Sequence, residues 1–90
     1  MTDRQKKEAF AAMRMNFGAG CPVDELDARE WGIGLDEMRG LLDEFQKSEL
    51  KAGTRWTVRE GTREIGKGKG KKTLLCWRAS FDWSYKGGER

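Results

Sequence analysis

The stretch "LDEMRGLLDEFQKSELKAGTRWTVRE", residues 35–60, contains the point at which the chain changes from a helical to an alternating pattern. Before Gly53, apolar residues recur at positions 35, 38, 41, 42 and 45, and this spacing predicts a helix over 35–50. After Gly53, Trp56 and Val58 alternate with polar residues, which predicts a strand over 54–60. The stretch therefore joins a helical first half to a β-rich second half and predicts an α+β fold.

Two further helices are expected before this stretch. Phe10 and Met13 lie at helical spacing within a predicted helix over 2–16. A short helix over 22–30 is expected to begin at Pro22, because proline suits the first helical position. The chain thus reads as three helices followed by strands.

A second strand is expected over 73–83, so the two strands form a hairpin with a long connection over 61–72. The connection holds four glycines and five Lys or Arg residues. The aromatic residues of the strands are expected to belong to the core. The alternative is that they stack on the bases of single-stranded nucleic acid. These residues are Trp56, Trp77, Phe81 and Trp83. Trp83 and Tyr85 are the expected exposed exceptions. We expect one domain over 1–83 and a flexible tail over 84–90.

Charge is distributed unevenly along the chain. Residues 1–50 contain 7 Lys or Arg and 11 Asp or Glu, whereas residues 51–90 contain 11 and 4, within a total net charge of +3. A basic second half favours an anionic partner for that half.

The residue types argue against an enzyme. The chain has no histidine, and its two cysteines, Cys21 and Cys76, are too few for a zinc site. We therefore expect no metal, no cofactor and no catalytic residue. No apolar run is long enough to span a membrane and no signal peptide is evident, so we expect a cytoplasmic protein whose thiols are reduced rather than paired in a disulfide.

The segment "VDELDAREWGIGLDEMRGLLDEFQKSEL", residues 23–50, resembles the helical part of winged helix-turn-helix domains. Such domains often show a V-x-E-L start, a glycine followed by an apolar residue, and then a helix with spaced leucines. The matching residues are Val23, Glu25, Leu26, Gly32, Ile33, Leu41, Leu42, Phe45 and Leu50. The resemblance implies a three-helix domain with a two-stranded β-hairpin wing, and it places the "KGKGKK" loop at the tip of that wing.

The resemblance implies a small regulator-type protein that binds duplex DNA, mainly through phosphate contacts of the wing. The expected nucleic-acid-binding residues are Lys67, Lys69, Lys71, Lys72, Arg63, Arg59, Arg55 and Arg39. Helix-1 cations (Arg4, Lys6 and Lys7) could add to this set, and a homodimer could add specificity. Two alternatives stay open: the lysines only keep the hairpin tip soluble, and Arg39 pairs with Asp43 instead of reaching a guanine edge.

The third helix fits poorly against DNA, because its exposed residues are mostly acidic. The alternative function is therefore a protein-binding inhibitor or adaptor module, of the kind used by phages and mobile elements. It would dock a partner with a basic surface against Asp36, Glu37, Asp43 and Glu44.

Overall fold

Three helices and three strands make up the part of the chain that the computed structural model describes, residues 2–82. The predictions for Trp83, Tyr85 and the tail over 84–90 lie outside the described residues. The elements are α1 (Asp3–Gly18), β1 (Val23–Asp24), α2 (Glu25–Glu30), α3 (Leu35–Lys51), β2 (Trp56–Ile65) and β3 (Lys72–Phe81), with a 3₁₀ turn at Gly68–Gly70. The predicted α+β class and the helix–helix–helix–hairpin order are confirmed.

The start of the second helix was predicted wrongly. Val23 and Asp24 are extended and pair antiparallel with Trp77 and Cys76 of β3, so the sheet has three strands in the order β1-β3-β2 rather than two. The helix begins at Glu25, three residues later than predicted, because the Asp24 carboxylate accepts hydrogen bonds from the backbone N–H groups of Leu26 (2.9 Å) and Asp27 (3.3 Å). An aspartate cap therefore determines the helix start, and Pro22 precedes it.

The hairpin is longer, and its connection shorter, than predicted. β2 and β3 keep a one-to-one antiparallel register from Trp56–Phe81 to Ile65–Lys72. Residues 61–65, which were expected in the loop, are strand residues despite Gly61. The chain reverses over 66–71, where Gly66 (φ 88°) and Gly68 (φ 57°) adopt left-handed backbone conformations that glycine accommodates best.

The core lies between the helices and one face of the sheet. It is centred on Phe45 of α3, which is fully buried and contacts Phe10 (ring centroids 5.7 Å apart), Phe17 (5.8 Å) and Trp56 (6.3 Å). Trp56 and Trp77 belong to this cluster, which confirms their predicted place in the core and removes them as stacking platforms. The prediction that Phe81 also belongs to the core is wrong, because Phe81 is 37% exposed and only packs against the ring of Trp56.

One buried carboxylate joins the first helix, the third helix and the sheet. Glu49 of α3 is 5% exposed and accepts hydrogen bonds from Arg14 Nη2 (2.7 Å) and from the indole Nε1 of Trp56 (3.1 Å). The Arg14 guanidinium lowers the pKa of Glu49, against the opposing effect of burial and with help from the Trp56 hydrogen bond. The group is therefore a paired carboxylate, which explains how a charge is accommodated at this position.

Candidate nucleic-acid interface

The hairpin has two chemically different faces, because successive side chains of a strand point to opposite sides. The helices pack against the face that carries Trp56, Val58 and Trp77, which we call the inner face. The outer face is the opposite one, and two of its side chains, Leu74 and Cys76, are buried (7% and 1% exposed). Its side chains, by strand register, are Thr57, Arg59, Gly61, Arg63 and Ile65 of β2 and Lys72, Leu74, Cys76, Arg78 and Ser80 of β3.

The outer face of the hairpin is basic. It carries four cations and no carboxylate from β2 or β3, since Glu60 and Glu64 lie at inner-face positions. The neighbouring carboxylate is Asp24 of β1, which is 7% exposed and pairs with Arg63 (3.4 Å). Cations on a two-stranded ribbon can follow a phosphate backbone, so this face is suited to a polyanion.

The hairpin tip presents the four lysines predicted from the sequence, all of them exposed. Lys71 forms an ion pair with Glu64 (2.7 Å). No carboxylate within residues 2–82 pairs with Lys67, Lys69 or Lys72, so three of the four ammonium groups are open to a ligand.

Backbone geometry explains the glycines of the tip. A Cβ on Gly66 would lie 2.6 Å from the carbonyl oxygen of Gly70, so the turn closes only without a side chain at position 66. Nothing lies within 4 Å of a Cβ built on Gly70, whose backbone is not left-handed. The tip is therefore a defined turn that holds its lysines together at the end of paired strands.

Three of the predicted DNA-binding arginines have partners within the protein. Arg39 donates from Nε to Glu60 Oε1 (2.8 Å) and from Nη1 to Asp36 Oδ1 (3.2 Å), and the Glu60 hydrogen bond is the main cause of its raised pKa. The pairing of Arg39 with Asp43, which was left open as an alternative, does not form, because Asp43 pairs with Lys47 instead (3.0 Å). Arg63 pairs with Asp24.

Arg55 has a carboxylate partner too, at 3.7 Å from Asp82. Glu60 accepts a second hydrogen bond, from the indole Nε1 of Trp77 (2.9 Å). The hydrogen bond from Arg39 lowers the pKa of Glu60 most, and the one from Trp77 lowers it further. Arg39 therefore links α3 to the sheet in this structure.

Arg59 and Arg78 are the arginines of the outer face without a carboxylate partner in the described part of the chain. They stand directly opposite each other in the β2–β3 register. Arg78 was not among the residues predicted from the sequence. The signal that could have found it is its alternation with Trp77 and Ala79, which places it on the solvent side of the strand.

The four acidic residues of α3 that could dock a basic protein each have a partner within the chain already. Asp36 pairs with Arg39, Asp43 with Lys47, and Glu44 with Lys6 (2.9 Å), while Glu37 accepts a hydrogen bond from the backbone N–H of Gly34 (3.4 Å). The Glu44 hydrogen bond raises the pKa of Lys6. Of the other helix-1 cations, Arg4 lies 3.8 Å from Glu8.

The remaining chemistry of residues 2–82 is sparse. Cys21 is an exposed free thiol and Cys76 a buried one, and no group of three or more potential metal ligands occurs among these residues. None of the helices in this range is long and apolar enough to cross a membrane. Comparison with protein-family models, with curated proteins and with solved structures found no match.

Proposed function

We propose that this chain is a winged helix-turn-helix domain of the regulator type that binds duplex DNA by gripping its phosphates, mainly through the β2–β3 hairpin tip. The order of three helices followed by a hairpin supports the interpretation of the fold as a winged helix. The observation that supports DNA binding is that, among the described residues, no carboxylate pairs with the tip lysines Lys67, Lys69 and Lys72.

The structure of the tip favours a ligand over simple solubility. A solubilising surface mixes charges of both signs, whereas the tip concentrates four lysines within six residues and pairs one of them. The paired strands extend beyond the core, so the tip projects away from it. The exposure of residues 62 and 64 on the inner face shows this extension. Phosphates can therefore approach the tip without contact with the acidic helices.

The mechanism is electrostatic anchoring with few base contacts. α3 carries Asp36, Glu37, Asp43 and Glu44 on its exposed surface, and Arg39, its best candidate for reading a guanine, is engaged by Glu60. Facing phosphates with this helix would cost affinity. Binding is accordingly expected to depend strongly on salt and weakly on sequence.

The test is fluorescence anisotropy of a labelled DNA duplex across a salt series. Each phosphate neutralised contributes about −0.9 to the slope of log K against log salt, so we expect a slope of roughly −3 to −5 for the parent protein. Replacing Lys67, Lys69, Lys71 and Lys72 with alanine should weaken binding at low salt at least about tenfold. The slope should become less negative by about 3, which corresponds to the three unpaired lysines.

A matched control removes the same number of cations elsewhere. Lys7, Arg29, Lys47 and Lys51 are exposed and lie outside the hairpin, and their joint replacement by alanine gives the same net charge. The control should bind more tightly than the tip variant. Equal binding by the two variants, or no binding of the parent at low salt, would refute the proposal. In the second case, capture of a basic protein partner by α3 becomes the next function to test.

A further inference from the structure

The outer face of the hairpin holds two arginines in an arrangement that folding alone does not favour. Arg59 and Arg78 are directly opposite in the register, and like charges at such positions destabilise a sheet. Both side chains are exposed, and the described residues supply neither with a carboxylate. Two unpaired guanidinium groups side by side form a fork-shaped donor set that suits an oxyanion, phosphate above all.

A cleft of about 410 Å³ lies at this position. Its lining consists of Arg59, Glu60, Gly61, Thr62, Cys76, Arg78 and Ser80. The carboxylate of Glu60 accepts hydrogen bonds from Arg39 and Trp77. Gly61 and Cys76 are paired across the strands, Cys76 is only 1% exposed, and a Cβ at Gly61 would meet nothing within 4 Å. The missing side chain at position 61 therefore leaves open space beside the arginines, and the Ser80 hydroxyl adds a neutral donor to the lining.

We propose that this cleft binds a second backbone phosphate of the same DNA duplex that the hairpin tip holds. This inference rests on the proposed function and adds the direction in which the duplex lies. Arg59 precedes the end of β2 by six residues, or roughly 20 Å of strand. Arg63 and Lys72 lie between it and the tip on the same face.

A duplex that follows the outer face would contact a row of cations over about six base pairs, at about 3.4 Å of axial rise each. The same placement turns α3 away from the DNA, because the helices pack on the inner face of the sheet. The acidic surface of α3 is then outside the interface. An acidic α3 is poorly suited to lie in a DNA groove, but it is compatible with an orientation in which the duplex contacts the outer face of the hairpin.

The first test removes the arginines and, separately, fills the cleft. Replacing Arg59 and Arg78 with glutamine should weaken duplex binding at least about tenfold and make the salt slope less negative by about 2. Gly61→Val keeps every charge, and its Cβ would have no atom of the described residues within 4 Å, so it should weaken binding several-fold by occupying the phosphate position. Circular dichroism and thermal melts show that each variant is folded. The control replaces Arg29 and Lys51, two exposed cations outside the hairpin, with glutamine.

The second test asks on which side the duplex lies. Asp36→Asn with Asp43→Asn removes two exposed charges from α3. At about 0.15 M salt, where charges more than about 8 Å apart are screened, this variant should bind within about twofold of the parent. Binding that strengthens about tenfold would place α3 against the DNA and overturn the inference.

The outcomes separate the two proposals. Suppose that the tip variant loses binding, that the arginine variant binds like its control, and that Gly61→Val binds like the parent. This result overturns the second phosphate site but leaves the proposed function standing. A parent protein that does not bind duplex DNA at low salt overturns both.

Discussion

Replacing Glu49 with alanine should lower the free energy of unfolding by about 2–4 kcal/mol. The indole N–H of Trp56, a residue that is 9% exposed, would lose its carboxylate acceptor, and a hydrogen bond to a charged group contributes about 1.5–3 kcal/mol. The pair with Arg14 adds about 0.5–1 kcal/mol, at the level of a surface salt bridge, because the Arg14 side chain is 54% exposed and regains water.

The assay is urea or thermal unfolding followed by tryptophan fluorescence or circular dichroism. For a domain of this size the change corresponds to a drop in Tm of roughly 8–32 °C, at about 4–8 °C for each kcal/mol. Asp43→Ala is the matched control on the same helix. Its carboxylate is 62% exposed and forms an i,i+4 pair with Lys47, so its loss should change stability by less than about 0.5 kcal/mol.

The pH dependence of Glu49→Gln provides a second readout. The pKa of Glu49 is lower in the folded protein than its ordinary value of 4.5, chiefly through the Arg14 hydrogen bond. Its charge therefore stabilises the fold above that ordinary value, and this stabilisation is lost as the pH falls through the folded-state pKa. The stability gap between the parent and Glu49→Gln should be full at neutral pH and clearly smaller at an acidic pH below 4.5. An equal gap at both pH values, or a loss below about 1 kcal/mol for Glu49→Ala, would refute the reasoning.

Two further predictions concern the tip and the thiols. Gly66→Ala should deform the hairpin tip and weaken duplex binding, because its Cβ would lie 2.6 Å from the Gly70 carbonyl oxygen, whereas Gly70→Ala should leave amide NMR shifts outside the tip and DNA affinity unchanged; equal behaviour of the two variants would contradict this. Cys21 should react with a thiol reagent in the native protein and Cys76, at 1% exposure, only on unfolding. Stoichiometric labelling of both thiols under native conditions would show that the sheet opens more readily than the structure indicates.

The local sequence pattern predicts some elements of the fold well and others not at all. The helix over Leu35–Lys51 and the inner faces of the strands were predictable, because their apolar spacing matches the period of the element they form. The strand β1 was not predictable from pattern. It has two residues, and pairing with β3 more than fifty positions later holds it extended. The extension of β2 through Gly61 depended likewise on its partner strand.

For the candidate site, the sequence by itself determined the types of the elements, the concentration of cations in the second half and the glycines that allow a tight turn. Which of those cations are available to a ligand was decided by the tertiary structure. Arg39 meets Glu60 from 21 positions away, Arg63 meets Asp24 from 39, and Arg78 stands opposite Arg59 only through the strand register. The physical reason is that composition and periodicity act over neighbouring residues, whereas a charge is neutralised by whichever group packing places within a few ångströms of it.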